Sequence, residues 1–484
     1  MSIDLTRIVK TYDIRGLVGS ELTVEVVEAL AAAFVDEIGA AGKSVVVGHD
    51  MRDSSPEFAA AFTRGATARG ANVVSIGLCS TDMTYYASGA WRMASAMFTA
   101  SHNPATYNGI KFSRAGAEAL SLDTGLAIIR DRAQRYLETG VSVVTDRGSS
   151  EQRDVTTEYA EYLRSLVDLR PIRPLRIVVD AGNGMGGMTV PAVLGTAAGL
   201  SELPIEIIPM YFELDGSFPN HEANPLNPDN IVDLQRAVVE HGADAGLAFD
   251  GDADRCFVVD ERGEPVNPSA VTAIVALREI ARVQAAGEKT VTVLHNLITS
   301  LIVPETIRSA GARPVRTTVG HSLIKKVMRE TGAVFGGEHS AHYYFRDYWS
   351  ADNGMLAAMH VLAEFGSHDK PLSEFAARFS PYSQSGEINT RVDDVSAALE
   401  RIRDAFTGRG AFDSLDGLTV SGGSLDDEAL PPQPGERRNF WWLNVRASNT
   451  EPLLRLNVEA GTPELMSAIR DEALAIIRQN VTVE

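Results

Sequence analysis

A serine, a histidine and a lysine stand close together early in the chain, in TASHNP (99–104) and NGIKF (108–112). Ser101 follows the apolar run ASAMF, and the His-Asn-Pro behind it cannot continue a strand. The hydroxyl is therefore expected in an exposed loop at a strand end. Serine is a weak nucleophile until a base or a phosphoryl-transfer geometry activates it, and His102 is near enough in sequence to help. Lys111 adds a cation able to steady transferred charge. Taken alone, S-H-N-P reads more readily as a Ser/Asn-rich turn.

The second stretch is DGDADR (250–255), with Asp250, Asp252 and Asp254 at alternating positions. Three carboxylates so spaced form a hard-oxygen cluster suited to Mg²⁺, which keeps open positions for phosphate oxygens. A solvated acidic turn fits poorly, because the flanks AGLAF and CFVV both read as apolar strands and like charges pinned between them repel. An EF-hand would use Asp250, Asp252, Asp254 and Glu261 at positions one, three, five and twelve, but position six is Arg255 rather than Gly and no helices flank the loop.

Four further stretches carry weaker signals. In GGEHS (336–340) two glycines permit close backbone approach, while Glu338 and Ser340 suit sugar hydroxyls; a hairpin turn is an equal reading. Just upstream, VGHS (319–322) opens a helical pattern at Gly320 and His321, and a helix N-terminus favours anions. In RASNTEP (446–452), Arg446 with Ser448, Asn449 and Thr450, and Arg455 beyond, suits a phosphate cradle or a capped turn. GNGMGG (182–187) after a strand spells a dinucleotide fingerprint, with Glu213 and Asp215 as acidic followers. It is read as a tight strand-to-helix turn, because the reactive-looking groups are spread along the whole chain.

The elements that must position these loops repeat. Strand-like 44–50 leads into a helical stretch near 56–69, then ANVVSIG and ASAMFTA; after a polar linker at 145–154 the pattern restarts at LRIVVDAGNG, and again at KTVTVLHN. Each unit opens on an apolar strand and later runs a strand into a small polar loop, where open α/β sheets bind ligands. From about residue 374 the pattern changes to a smaller α+β arrangement with a polar, Pro-bearing insert.

With 484 residues the chain is too long for one core. A net charge of −20 without a basic run argues against a nucleic-acid partner, and obliges any phosphate site to concentrate Arg, Lys, backbone N–H groups or a metal ion. Neither an apolar leader nor a bilayer-length apolar run is expected, and Cys79 and Cys256 have no metal or disulfide spacing, which fits a reducing cytoplasm.

In this order and spacing, TASHNP, DGDADR, GGEHS and RASNTEP, with the opening YDIRG (12–16), resemble the α-D-phosphohexomutase superfamily and more narrowly its bacterial phosphomannomutase/phosphoglucomutase branch. The likeness covers essentially the whole chain. It implies three similar α/β domains with mixed sheets (1–148, 149–256, 257–372) and a smaller C-terminal α+β domain (373–484) around a central active-site cleft. It also implies that Ser101 carries phosphate, that Asp250, Asp252 and Asp254 bind Mg²⁺ with a phosphoserine oxygen, and that His102, Lys111 and Arg255 stand beside the transfer. Glu338 and Ser340 match the sugar loop; Arg446, Ser448, Asn449 and Thr450 match the loop for the non-reacting phosphate; Tyr12, Arg15, Gly320 and His321 match substrate contacts. Relatives in this branch often place a Lys where this chain reads Leu294-His295-Asn296, which bears on substrate preference.

The activity so implied is a cytoplasmic phosphomannomutase, monomer or homodimer, acting also on glucose phosphates. Ser101 would give its phosphate to a hexose monophosphate, the hexose 1,6-bisphosphate would turn end for end, and Ser101 would take back the other phosphate. Phosphoglucomutase and phosphoglucosamine mutase are the alternatives within the superfamily; a sugar-phosphate phosphatase, a nucleotide-dependent oxidoreductase and a non-catalytic sugar-phosphate sensor lie outside it.

Overall fold

The computed structural model describes residues 4–423, 435–447 and 453–479, and at 321 and 322 the backbone alone. The chain forms two compact units, one of residues 1–266 and 340–373, the other of 267–339 and 374–484.

The first unit holds two mixed sheets. In the first sheet, Ser44–His49 lies parallel between Asn72–Leu78 and Ala94–Phe98, while Tyr107–Arg114 runs antiparallel between Ala94–Phe98 and Ile14–Leu17. Val45 and Val47 face a core shared with the helices Val24–Ile38, Ser55–Ala68 and Leu126–Thr139, whereas Val46 is buried on the opposite face. Both faces being covered, the strand reads as an unbroken apolar run. Phe34 stacks on Phe112 with ring centroids 4.5 Å apart at the centre of this core. Residues 145–154, expected to be a polar linker, are not wholly so: Ser150–Gln152 pairs parallel with Asn72–Leu78 as an exposed edge strand. Its alternation signal is absent because an edge strand exposed on both faces buries nothing.

The second sheet orders Pro265–Val266, Cys256–Asp260, Ala245–Phe249, Leu175–Asp180 and Ile205–Met210. Ala245–Phe249 is parallel to Leu175–Asp180 and antiparallel to Cys256–Asp260, with Phe249 opposite Cys256, so the acidic loop closes a hairpin. The buried helix Gly354–Gly366, capped by the Asn353 side chain, belongs to the same unit.

In the second unit, Thr292–Asn296 lies parallel between Arg313–Thr317 and Phe335–Gly337, with the helices Pro268–Ala285, Ile302–Ser309 and His321–Thr331. The C-terminal sheet is antiparallel; Leu453–Ala460 pairs with Trp441–Ala447, Ser383–Gln384 and Ile388–Arg391. The helices Val395–Phe406 and Pro463–Ile477 complete its core through Ile402, Phe406, Ile469 and Ile477. No helix among the described residues is long and apolar enough to cross a membrane.

Candidate active site

The strand Ala94–Phe98 delivers Ser101 into a loop where its backbone is left-handed, φ +49°, a conformation uncommon for a residue with a Cβ. The Ser101 amide donates to Thr99 Oγ1 at 2.8 Å, and its hydroxyl lies 2.9 Å from Asp250 Oδ2 and 3.2 Å from His102 Nδ1. Two arginines grip the loop from behind. Arg15, paired with Asp13 at 2.9 Å, donates to the carbonyl of Ala100 at 2.5 Å and to the Asn103 side chain. Arg52 donates to the carbonyls of Ser101, Asn103, Pro104 and Tyr107.

The acidic loop is reached through two glycines. A Cβ on Gly184 would lie 2.6 Å from the carbonyl oxygen of Gly251, and one on Gly251 would lie 2.4 Å from that of Ser101. Backbone thus rests on backbone from the GNGMGG turn through the acidic loop to Ser101, and the Met185 amide donates to the Gly251 carbonyl at 2.9 Å. This close approach gives the dinucleotide-like spelling a packing reason.

Asp250, Asp252 and Asp254 are all buried, and one carboxylate oxygen from each lies within 4.8 Å of the others. Asp250 accepts from the Arg255 amide at 3.1 Å and from Arg255 Nε at 2.9 Å. Arg255 Nη2 donates to His102 Nδ1 at 2.7 Å; a guanidinium can only donate, so this nitrogen holds the lone pair and the proton is assigned to Nε2. Lys111 donates to Asp252 Oδ2 at 2.7 Å and Asp254 Oδ2 at 2.6 Å, and Thr81 Oγ1 to Asp252 Oδ2 at 2.6 Å. Asp252 Oδ1 and Asp254 Oδ1 remain buried without a hydrogen-bond partner. Two orphaned carboxylate oxygens beside a third carboxylate suit a hard divalent cation.

The charges set the titration. Burial raises Asp250 to about 7, with Asp254 and Asp252 adding to the rise against Arg255. Burial also opposes the charged form of Asp252, but Lys111 and Thr81 outweigh it and hold the carboxyl far down. Lys111 stays well above its ordinary value because two carboxylates overcome its burial. Burial, then Arg255 and Arg15, push His102 well below the ordinary histidine range, so the ring is neutral at pH 7.

Seven residues singled out in the sequence therefore meet in one cluster: Ser101, His102, Lys111, Arg255 and the three aspartates. Sequence reading missed Arg52, Thr81, and His342 with Asp352; His342 Nε2 lies 3.9 Å from Asp254 Oδ1, and the three form a second group of potential metal ligands. The one available signal was that Asp50 and Arg52 directly follow a strand. Ser340, in the same unit, lies 3.1 Å from His342 Nδ1, and half-buried Tyr12 precedes Arg15.

In the second unit, Glu338 Oε1 accepts from Asn296 Nδ2 at 3.4 Å and from the Gly320 amide at 3.3 Å, at the start of the helix His321–Thr331. His295 is buried against Thr299 and pushed down by burial to about 4, so no cation stands there at neutral pH. Arg446 and Arg455 face each other across the last hairpin and share Glu387, at 2.8 and 3.4 Å, a carboxylate the sequence reading did not single out. Ser448, Asn449 and Thr450, and the side chain of His321, lie outside the described residues.

Four family models for phosphoglucomutase/phosphomannomutase match in succession: alpha/beta/alpha domain I at residues 6–138, domain II at 157–263, domain III at 267–382 and the C-terminal domain at 387–476. A protein described as phosphohexose mutases from Xanthomonas campestris pv. campestris is 36% identical over 474 residues, covering 97% of this chain and 98% of that one. A phosphomannomutase of Salmonella typhimurium is 35% identical over 477 residues, with the same coverage. The crystal structure of a phosphoglucomutase/phosphomannomutase family protein from Burkholderia thailandensis superposes with a TM-score of 0.82 at 29% identity, covering 98% of this chain and 97% of that one.

Proposed function

The chain belongs to the phosphoglucomutase/phosphomannomutase family and is a phosphohexomutase-type isomerase of four domains, and from that premise we propose that it interconverts mannose 6-phosphate and mannose 1-phosphate, and glucose phosphates as well, through a phosphoserine at Ser101. The observation that carries this reading is the buried serine hydroxyl 2.9 Å from an aspartate whose two loop neighbours keep orphaned oxygens. Asp250, Asp252 and Asp254 would hold Mg²⁺ together with a phosphoserine oxygen. The ion would supply charge neutralisation at the phosphoryl group.

The chain's own residues divide the remaining work. Phosphoserine 101 gives its phosphoryl group to the free hydroxyl of a hexose monophosphate, forming hexose 1,6-bisphosphate and the free serine. The bisphosphate turns, and Ser101 then attacks the other phosphate, losing its proton to Asp250 Oδ2 or His102 Nδ1, the acceptors at 2.9 and 3.2 Å. Lys111, held as a cation by two carboxylates, suits charge stabilisation; of the two proton acceptors, Asp250, raised by burial to about 7, is better matched to neutral pH than His102, which burial and two arginines make less basic. Arg446, with Ser448, Asn449 and Thr450, is read as the holder of the phosphate that is not reacting. Glu338 and Ser340 are read as partners of sugar hydroxyls that mannose and glucose share, and Tyr12, Arg15, Gly320 and His321 as further substrate contacts. Such substrates are soluble, and a cytoplasmic setting fits them.

The test is a coupled assay on mannose 1-phosphate, glucose 1-phosphate and glucosamine 1-phosphate with catalytic hexose 1,6-bisphosphate. Isomer formation from the first two is expected. Release of inorganic phosphate in place of isomer, or a clear preference for the amino sugar, would overturn the assignment.

A further inference from the structure

A left-handed backbone at a serine persists only where its surroundings over-determine it, and beside Arg15 and Thr99 the side chain that makes the most bonds to the backbone of the Ser101 loop is Arg52. The guanidinium of Arg52 is buried, its Nη1 donating to the carbonyls of Pro104 and Tyr107, both at 2.9 Å. Its Nη2 donates to the carbonyls of Ser101 and Asn103 at 2.9 and 2.7 Å. All four terminal N–H groups are thereby committed to the backbone of one loop. The Nε side faces Asp50 at 3.3 Å, and Asp50 is itself fixed by the Arg52 amide and the Ser55 hydroxyl, at 3.0 and 2.6 Å. Phe218 covers the guanidinium with its ring centroid 5.2 Å away.

An arginine whose terminal donors are all spent on carbonyls has none to offer a phosphate. We infer that Arg52 is a positioning residue, the clamp that fixes the height and direction of the Ser101 hydroxyl over the acidic loop. This rests on reading Ser101 as the phosphate carrier. Lysine could not substitute, since one ammonium nitrogen with three donors cannot span four carbonyls arranged on a planar fork.

The test compares Arg52→Lys with wild type, using only protein shown to be folded by circular dichroism and size-exclusion chromatography. Misplacing the nucleophile should lower kcat and kcat/KM together by about 100-fold, with KM for the hexose phosphate and Mg²⁺ affinity unchanged. A merely structural arginine would lower the melting temperature while leaving kcat per folded molecule intact, and that result would overturn the proposal. A rise in KM alone would also overturn it, by making Arg52 a substrate ligand. If Arg52→Lys does not fold, Asp50→Asn loosens the clamp with the guanidinium still present; a several-fold fall in kcat at constant KM supports the proposal, and unchanged kcat overturns it. Failure of the underlying reading is visible separately, as wild-type protein that hexose 1,6-bisphosphate cannot phosphorylate at Ser101.

Discussion

Replacing Lys111 with methionine should move metal affinity and turnover in opposite directions. The ammonium sits 2.7 Å from Asp252 Oδ2 and 2.6 Å from Asp254 Oδ2, on the same carboxylates whose other oxygens are expected to bind the cation, so the two positive charges repel across shared carboxylates. Two unit charges 4 Å apart interact by about 4 kcal/mol at an effective dielectric constant of 20, so an ammonium and a divalent ion repel by about 8 kcal/mol. If two thirds of that repulsion is relieved by the lysine swinging aside, about 2.7 kcal/mol is left, roughly a hundredfold tightening of Mg²⁺ binding in Lys111→Met. Turnover should nevertheless fall by roughly 100-fold or more, because a preorganised cation is lost from the transferring group. In chelator the variant should lose about 3–5 kcal/mol of stability, the usual cost of breaking a buried pair by removing one partner. Calorimetric titration with Mg²⁺, denaturant unfolding in EDTA, and the isomerase assay read the three effects. Weaker or unchanged Mg²⁺ binding by a folded Lys111→Met protein would refute the reasoning, since it would mean that the metal and the ammonium do not share carboxylates.

Three further outcomes are expected. Ser101→Ala should lose at least about 10⁴-fold in kcat, and intact-protein mass spectrometry should find no phosphate after incubation with hexose 1,6-bisphosphate. Arg446→Ala should raise KM about 10- to 100-fold with kcat largely kept, as removal of one charged contact made throughout the reaction predicts; steady-state kinetics separates the two constants. His295 is held neutral with a folded-state value of about 4, below its ordinary value, so its contribution to stability is complete above about pH 6.5 and is lost as pH falls towards 4. Denaturant unfolding at pH 7.5 and pH 5 should therefore show a smaller stability loss on acidification in His295→Gln than in wild type.

Much of the candidate cluster was legible because its members sit where strands end. Ser101 and the three aspartates each follow an apolar run, and such positions in α/β sheets face ligands whatever the rest of the fold does. Lys111 was legible by proximity, and the strand register explains the outcome: Met97 pairs with Lys111 and Phe98 with Ile110, so the Ser101 loop and the ammonium share one strand pair. The role of Arg52 was not legible from its place after a strand. Its four acceptors are main-chain carbonyls about fifty residues away, and carbonyls carry no residue type for a sequence reading to detect. Glu387 escaped for a related reason, since only the pairing of Leu453–Ala460 with both Trp441–Ala447 and Ile388–Arg391 brings it to two arginines. The glycines of GNGMGG were visible, but their use as a seat for Gly251 depends on a tertiary contact.

The charge balance of the cluster fits the proposed cycle. Three carboxylates meet two committed cations, Lys111 and Arg255, while Arg52 is paired with Asp50, Arg15 with Asp13, and His102 is neutral. With all three ionised one negative charge is left over in a buried place, where an uncompensated charge is costly, and the rise of Asp250 to about 7 reflects that cost. A bound divalent cation would turn that excess into one positive charge, and a phosphoserine carrying about two negative charges would return it to about one negative. The site would then alternate between small excesses of opposite sign as phosphate leaves and returns, so neither form is trapped by charge alone. A fourth fixed cation would bind the phosphoserine too tightly to release it, and loss of Lys111 would leave the phosphorylated form under-neutralised. On this argument the lysine serves turnover more than affinity, which is why the methionine variant should bind metal better and work worse.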